Sequence, residues 1–224
     1  MGASAATLRG RASPGKDADR KAQLRAAAVE LFAEYGYTGM SMQMLMDACG
    51  VNKALVYYYF GSKEKLFQEI LEDYFDRLAP AFDLLWKSED DFRDRLAGML
   101  GRYIDFLAAN PEFPKIVQRE VATRGPGLDI SQRRLRPLFA AGLELLRREM
   151  PEFDAAPDAL SPVDVILTVY SAVIGYFTYA PLIGELTGED YFGAEAITRR
   201  KRHVVALADA LIDAVRAHAA AAEK

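Results

Sequence analysis

Between Ser41 and Ser62 the chain carries two apolar patterns, each only about two turns of helix long, separated by Gly50-Val51. Met42, Leu45, Met46 and Cys49 fall at i, i+3, i+4 and i+7, the inner face of a first short helix. Val56 and Phe60 give a second short helix its inner face. Helices of this length do not stand alone in water, so they must dock on each other and on longer neighbours. Ser41, Asn52 and Ser62 are placed to cap three helix starts, the third helix running from Lys63 to about Trp86. A longer helix precedes them, from about Asp19 to Tyr35. Leu24, Ala28, Leu31, Phe32 and Tyr35 share its stripe, and Gly36 ends it.

The second short helix holds Tyr57, Tyr58 and Tyr59 in succession. Consecutive helical residues sit about 100° apart, so three rings cannot share one inner face. Two short helices joined by a Gly-containing turn are a helix-turn-helix candidate, and the second helix of such a unit lies in the major groove of DNA. Lys53, Ala54, Leu55, Tyr57, Tyr58 and Tyr59 then form its outer face. A tyrosine hydroxyl can donate to a phosphate while its ring packs on sugar, a contact that fixes register. Lys63 opens the next helix against the helix dipole but within reach of a phosphate. Gln43 and Lys53 are the expected hydrogen-bonding readers, and apolar Ala54 and Leu55 favour thymine methyls. Ser41 completes the expected DNA-contacting set.

The charge distribution agrees. Up to Lys65 there are nine Lys/Arg against six Asp/Glu, and beyond it nineteen against twenty-six. A basic head on an acidic body fits a nucleic-acid binder with a second, non-binding domain.

The remainder reads as helical and no segment alternates long enough for a strand, so the fold class is all-α. Asn110-Pro111 and Ser161-Pro162 each place a capping side chain before a proline suited to a first helical turn. Residues 1–16, rich in Ala, Gly, Ser and Arg, read as a disordered tail. The expected domains are 1–65 and 66–224. Cys49, the single cysteine, sits at an inner position and fits a buried thiol in a reducing compartment. No segment has the pattern of a signal peptide, so a cytoplasmic location is expected. Residues 165–184 carry no charge, yet their tyrosines, glycine and proline, and the acidic flanks Asp164 and Glu185, point to a helix buried in protein, with no membrane partner. The run Arg199-Arg200-Lys201-Arg202 reads as a solvated helix face near Glu189, Asp190 and Glu195.

Nothing points to an enzyme. The two histidines, His203 and His218, both fall in the last helix. There is no Gly-rich phosphate loop, metal-ligand pattern or nucleophile elbow, so neither a cofactor nor a metal is expected.

Residues 36–67, GYTGMSMQMLMDACGVNKALVYYYFGSKEKLF, resemble the N-terminal helix-turn-helix of the TetR family of transcriptional regulators. The Gly-Val turn, the aromatic helix ending in Tyr-x-Phe and the Ser-Lys-Glu that follows carry the resemblance, over about residues 20–70. Met46 stands where the family usually has a small residue, and Met44 at a usually polar position. Ala54 and Leu55 replace a common glycine and threonine. The resemblance implies a three-helix DNA-binding domain followed by a larger helical domain that dimerises and binds a small effector. It further implies a regulator, expected to be a repressor, that leaves a palindromic operator when a hydrophobic small molecule binds. The alternative is a helix-turn-helix protein without such an effector, controlled by a protein partner.

Two further sets of residues follow from this resemblance together with helical spacing. The expected homodimer interface combines small residues Ser171, Ala172 and Gly175 with the final-helix stripe Val204, Ala208, Leu211, Ile212 and Val215. The alternative is that both stripes are core within one subunit. The expected effector pocket is lined by Phe82, Trp86, Met99, Tyr103, Phe106, Phe139, Leu143, Tyr170, Ile174 and Phe177, with the tyrosines supplying polar contacts to an apolar ligand.

Overall fold

The computed structural model describes residues 14–87, 89–155 and 161–222, and these are helical with short connections and without strands. The chain divides into two compact units, residues 1–70 and 71–224, with the boundary inside one long helix.

The first unit contains α1 (Pro14–Gly39), α2 (Met42–Cys49), α3 (Lys53–Phe60) and the start of α4 (Lys63–Lys87). Most of the expected tail lies outside the described residues, but α1 already begins at Pro14. Gly36 takes φ 71° and interrupts α1, and one further turn carries the chain to Gly39. Leu24, Ala28, Phe32, Leu45, Val56, Phe60, Leu66 and Ile70 are buried in this unit. Phe32 and Phe67 pack with ring centroids 4.7 Å apart, and Tyr37 lies 5.0 Å from Phe67. Tyr35, expected on the buried stripe, is 46% exposed; the break at Gly36 lets Tyr37 take the aromatic place instead. Cys49 is half-buried, and burial pushes its thiol pKa up, consistent with an inert thiol.

The second unit continues through α4 into α5 (Phe92–Ala109), α6 (Glu112–Thr123), α7 (Gly127–Glu149), α8 (Glu152–Ala155), α9 (Pro162–Thr187) and α10 (Ala194–Ala222). Phe113 anchors an aromatic cluster, 4.9 Å from Tyr74, 5.4 Å from Phe75 and 5.6 Å from Phe106. Buried Glu120 caps α7 by accepting from the Gly127 N–H at 2.9 Å. Gly125 makes room for that carboxylate, since a Cβ there would come within 2.2 Å of it.

Ser161 caps α9 as expected, in a reciprocal arrangement with Asp164. Asn110 does not cap α6. Its amide donates to the Phe106 carbonyl and its oxygen accepts from Arg77, so it finishes α5 instead.

Two expectations about surfaces change. Val204, Ala208, Ile212 and Val215 are 1–4% exposed within a single chain, where α10 packs on α5, α8 and α9. That stripe is internal core, which leaves half-buried Leu211 at its edge. α9, by contrast, is not buried all round. Val165, Val173, Ile174, Phe177 and Ala180 face inward, while Val163, Leu167, Tyr179, Leu182 and Leu186 are 43–72% exposed. By length and composition α9 is long and apolar enough to cross a membrane. Within the Arg199–Arg202 run, Arg200 is half-buried rather than solvated. Its guanidinium lies 4.8 Å from the Tyr176 ring centre and donates to the Ala172 carbonyl.

Candidate nucleic-acid interface

The outer face of α3 exists because both ends of the helix are fixed locally. The Asn52 side chain accepts from the Leu55 N–H at 3.0 Å, and Gly61, at φ 69°, closes the far end with its N–H on the Tyr57 carbonyl. Ser41 does the same for α2 by accepting from the Met44 N–H at 3.2 Å. Gly50 ends α2 in the left-handed region, where glycine carries no Cβ penalty. With Val56 and Phe60 turned inward, the helix presents its remaining residues to solvent.

Those residues divide into two groups. Lys53, Ala54, Tyr57 and Tyr58 are exposed, Tyr58 at 75%. The Lys53 ammonium lies 5.5 Å from the Tyr57 ring centre, which places a cation beside a phenol on one face. Tyr59 behaves differently. It is half-buried and its hydroxyl donates to Asp17 of α1 at 2.5 Å, which raises its pKa. Lys63 is also engaged within the unit. It donates to the Met40 carbonyl at 2.9 Å and sits 4.4 Å from the Tyr37 ring centre. Leu55 is half-buried, and Gln43 is exposed with its amide held by Asp47 at 2.7 Å. The solvent-exposed face is therefore narrower than the sequence alone implies, centred on Lys53, Ala54, Tyr57 and Tyr58.

The matching family model is that of bacterial regulatory proteins of the tetR family, over residues 24–70. This span contains α2, the turn, α3 and the capped start of α4, the same elements that build the face just described. Over these residues the chain is similar to the tetR family. It is 32% identical over 121 residues to the HTH-type transcriptional repressor NicS of Pseudomonas putida, covering 54% of this chain and 57% of that one. It is 22% identical over 186 residues to the HTH-type transcriptional repressor KstR2 of Mycolicibacterium smegmatis, covering 80% and 90%. A crystal structure of a TetR-family regulator from Bordetella parapertussis shares the fold with a TM-score of 0.67 at 18% identity, covering 85% of this chain and 94% of that one. The chain spans about half the length of the curated relatives it matches at 32% identity. These relatives are regulators rather than enzymes.

Of the two departures from the resemblance, Met46 is buried beneath α2 and Ala54 is exposed on the outer face of α3.

The expected effector residues scatter over the second unit. Phe82 and Trp86 line an open cleft of about 300 Å³ between α4 and α7. Tyr103, Tyr170 and Ile174 line a second, smaller hollow. Met99 is buried, Phe106 belongs to the Phe113 cluster, and Phe177 packs against Tyr176 and Phe192. Phe139 is 42% exposed and Leu143 half-buried, and neither lines either hollow. Leu135 and Leu138 of α7 also line the open cleft and were not among the expected residues; they stand among Arg133, Arg134 and Arg136, with no aromatic side chain to mark them.

Proposed function

We propose that the protein is a homodimeric transcriptional repressor that binds a palindromic operator through α2 and α3. The observation that carries this reading is the exposed group of Lys53, Ala54, Tyr57 and Tyr58 on a short helix capped at both ends. Such a face has no use within the unit, and its cation and phenols suit phosphate and groove contacts. The named repressor relatives support the sign of regulation.

The dimer is assigned to α9. Its exposed apolar residues recur at helical spacing, and half-exposed Gly175 lies among them, which suits close approach of a second copy. Occupancy is set by a small apolar molecule held in the cleft between α4 and α7. A hundredfold change in operator affinity needs about 2.7 kcal/mol of differential binding between two dimer geometries.

The test is selection from a random pool of duplexes. The proposal expects enrichment of a two-fold symmetric sequence, with half-sites separated by whole helical turns. Enrichment of an asymmetric single site would remove the dimer, and no enrichment would remove the regulator.

A further inference from the structure

The two hollows of the second unit share a wall. The open cleft of about 300 Å³ has Phe82 and Trp86 on its α4 side and Leu138 on its α7 side. The smaller hollow, of about 30 Å³, adjoins it, and Phe75, Leu78 and Leu135 line both. A hollow that small takes about one water or one polar ligand atom. Its polar lining is supplied by Tyr103, Tyr170 and Gln118.

Tyr103 is 8% exposed and its ring centre lies 5.7 Å from that of Phe82, so it stands directly behind the cleft wall. Among the described residues neither the Tyr103 nor the Tyr170 hydroxyl has a hydrogen-bond partner. The Gln118 amide already donates to Thr178 Oγ1 at 2.6 Å. Tyr170 is 39% exposed, so an acceptor placed between the two phenols takes the place of water and gains both donors. Burial pushes the pKa of both phenols up, so both remain donors at neutral pH.

The lining has no charge to offer. Arg134 is its one charged residue among those described, and its guanidinium is held by Glu72 at 3.2 Å and by Asp76. An anion or cation entering here would lose water without gaining a counter-charge. The partition between the hollows can yield at Leu135. This residue stands two positions before Pro137, where α7 lacks the N–H that the Arg133 carbonyl would use.

We infer that the molecule taken by the second unit is uncharged and carries one hydrogen-bond acceptor at the end of an apolar body. The body lies in the cleft against Phe82 and Trp86, and the acceptor sits between the Tyr103 and Tyr170 hydroxyls. This rests on the proposal that the cleft holds the effector.

Trp86 is the single tryptophan of the chain, so its indole N–H resonance reports cleft occupancy directly. The probes are 2-acetylnaphthalene, 2-ethylnaphthalene and 2-naphthoate, which share a body and differ in bearing a neutral acceptor, none, or a charge. The ketone is expected to bind about tenfold more tightly than the hydrocarbon, and the carboxylate more weakly than the ketone. A Tyr103→Phe/Tyr170→Phe variant should keep its fold by circular dichroism and bind the hydrocarbon as before, but lose the preference for the ketone. Equal binding of ketone and hydrocarbon, tightest binding of the carboxylate, or a preference that survives in the variant would overturn the inference while leaving the cleft as a ligand site. An indole resonance unmoved by all three probes would remove the cleft as an effector site and the inference with it.

Discussion

The hydroxyl of Tyr59 donates to the carboxylate of Asp17, 42 residues earlier, at 2.5 Å. This one bond separates two tyrosines of the same run that look equivalent in sequence. Tyr57 stays exposed, while Tyr59 ties α3 to the first turns of α1. Tyr57→Phe should weaken operator binding roughly five- to tenfold and leave the melting temperature unchanged. Tyr59→Phe should lower the melting temperature, with a smaller loss of operator affinity. Parallel thermal melts and fluorescence-anisotropy titrations separate the two roles.

Gln43 donates to Asp47 one turn along α2 at 2.7 Å, and on the proposed reading its amide exchanges that partner for a base edge. Gln43→Ala should relax discrimination at one base pair by about 1–3 kcal/mol, read from a panel of single-base operator variants. Uniform weakening across the panel would instead place Gln43 on the backbone. Lys53→Ala should reduce the slope of log affinity against log salt by about 1.

Burial separates the two helices first considered for the dimer. Ile212 of α10 is 2% exposed inside its own chain, and Leu182 of α9 is 52% exposed. Ile212→Glu should therefore destabilise the second unit by more than about 3 kcal/mol. Leu182→Glu should leave the fold intact and shift the protein from dimer to monomer in sedimentation, with loss of operator binding. A Leu182→Glu protein that stays dimeric would move the interface off this face.

The Arg95 guanidinium, 9% exposed, donates to the Leu85 carbonyl at 2.8 Å and to Glu149 at 2.9 Å. Hydrogen bonds from Arg95 and Arg148 hold the Glu149 carboxyl below its ordinary value of 4.5. A carboxylate with a lowered folded-state pKa contributes stability that is full above 4.5 and is lost as pH falls through its folded value. Glu149→Gln should remove this part of the acid sensitivity. It should also cost about 3 kcal/mol at neutral pH by leaving a buried guanidinium under-paired. Urea melts at pH 7 and pH 4 read both effects.

What the sequence made legible was mostly short-range. Ser41, Asn52 and Ser161 cap helices by bonds that span three residues, and their residue types announce it. The inner positions Leu45, Val56 and Phe60 follow from helical period. What stayed hidden depends on partners far along the chain. Asn110 is claimed by Arg77, Tyr59 by Asp17, and Arg200 by Tyr176 and Ala172. The stripe from Val204 to Val215 shows the same limit. Period identifies a face that will be buried but not whether the covering surface belongs to the same chain. The cleft was half visible, since aromatic Phe82 and Trp86 stood out on α4 while Leu135 and Leu138 lay among arginines on α7.

The central claim is that the outer face of α3 is the DNA-reading surface. It is tested most directly by the affinity of a Lys53→Ala/Tyr57→Ala variant for the operator selected by the wild type, with circular dichroism melts of both proteins alongside. The account expects a loss of at least about a hundredfold at unchanged melting temperature, the combined effect of one lost phosphate cation and one lost aromatic contact. Wild-type affinity in the correctly folded variant would contradict it.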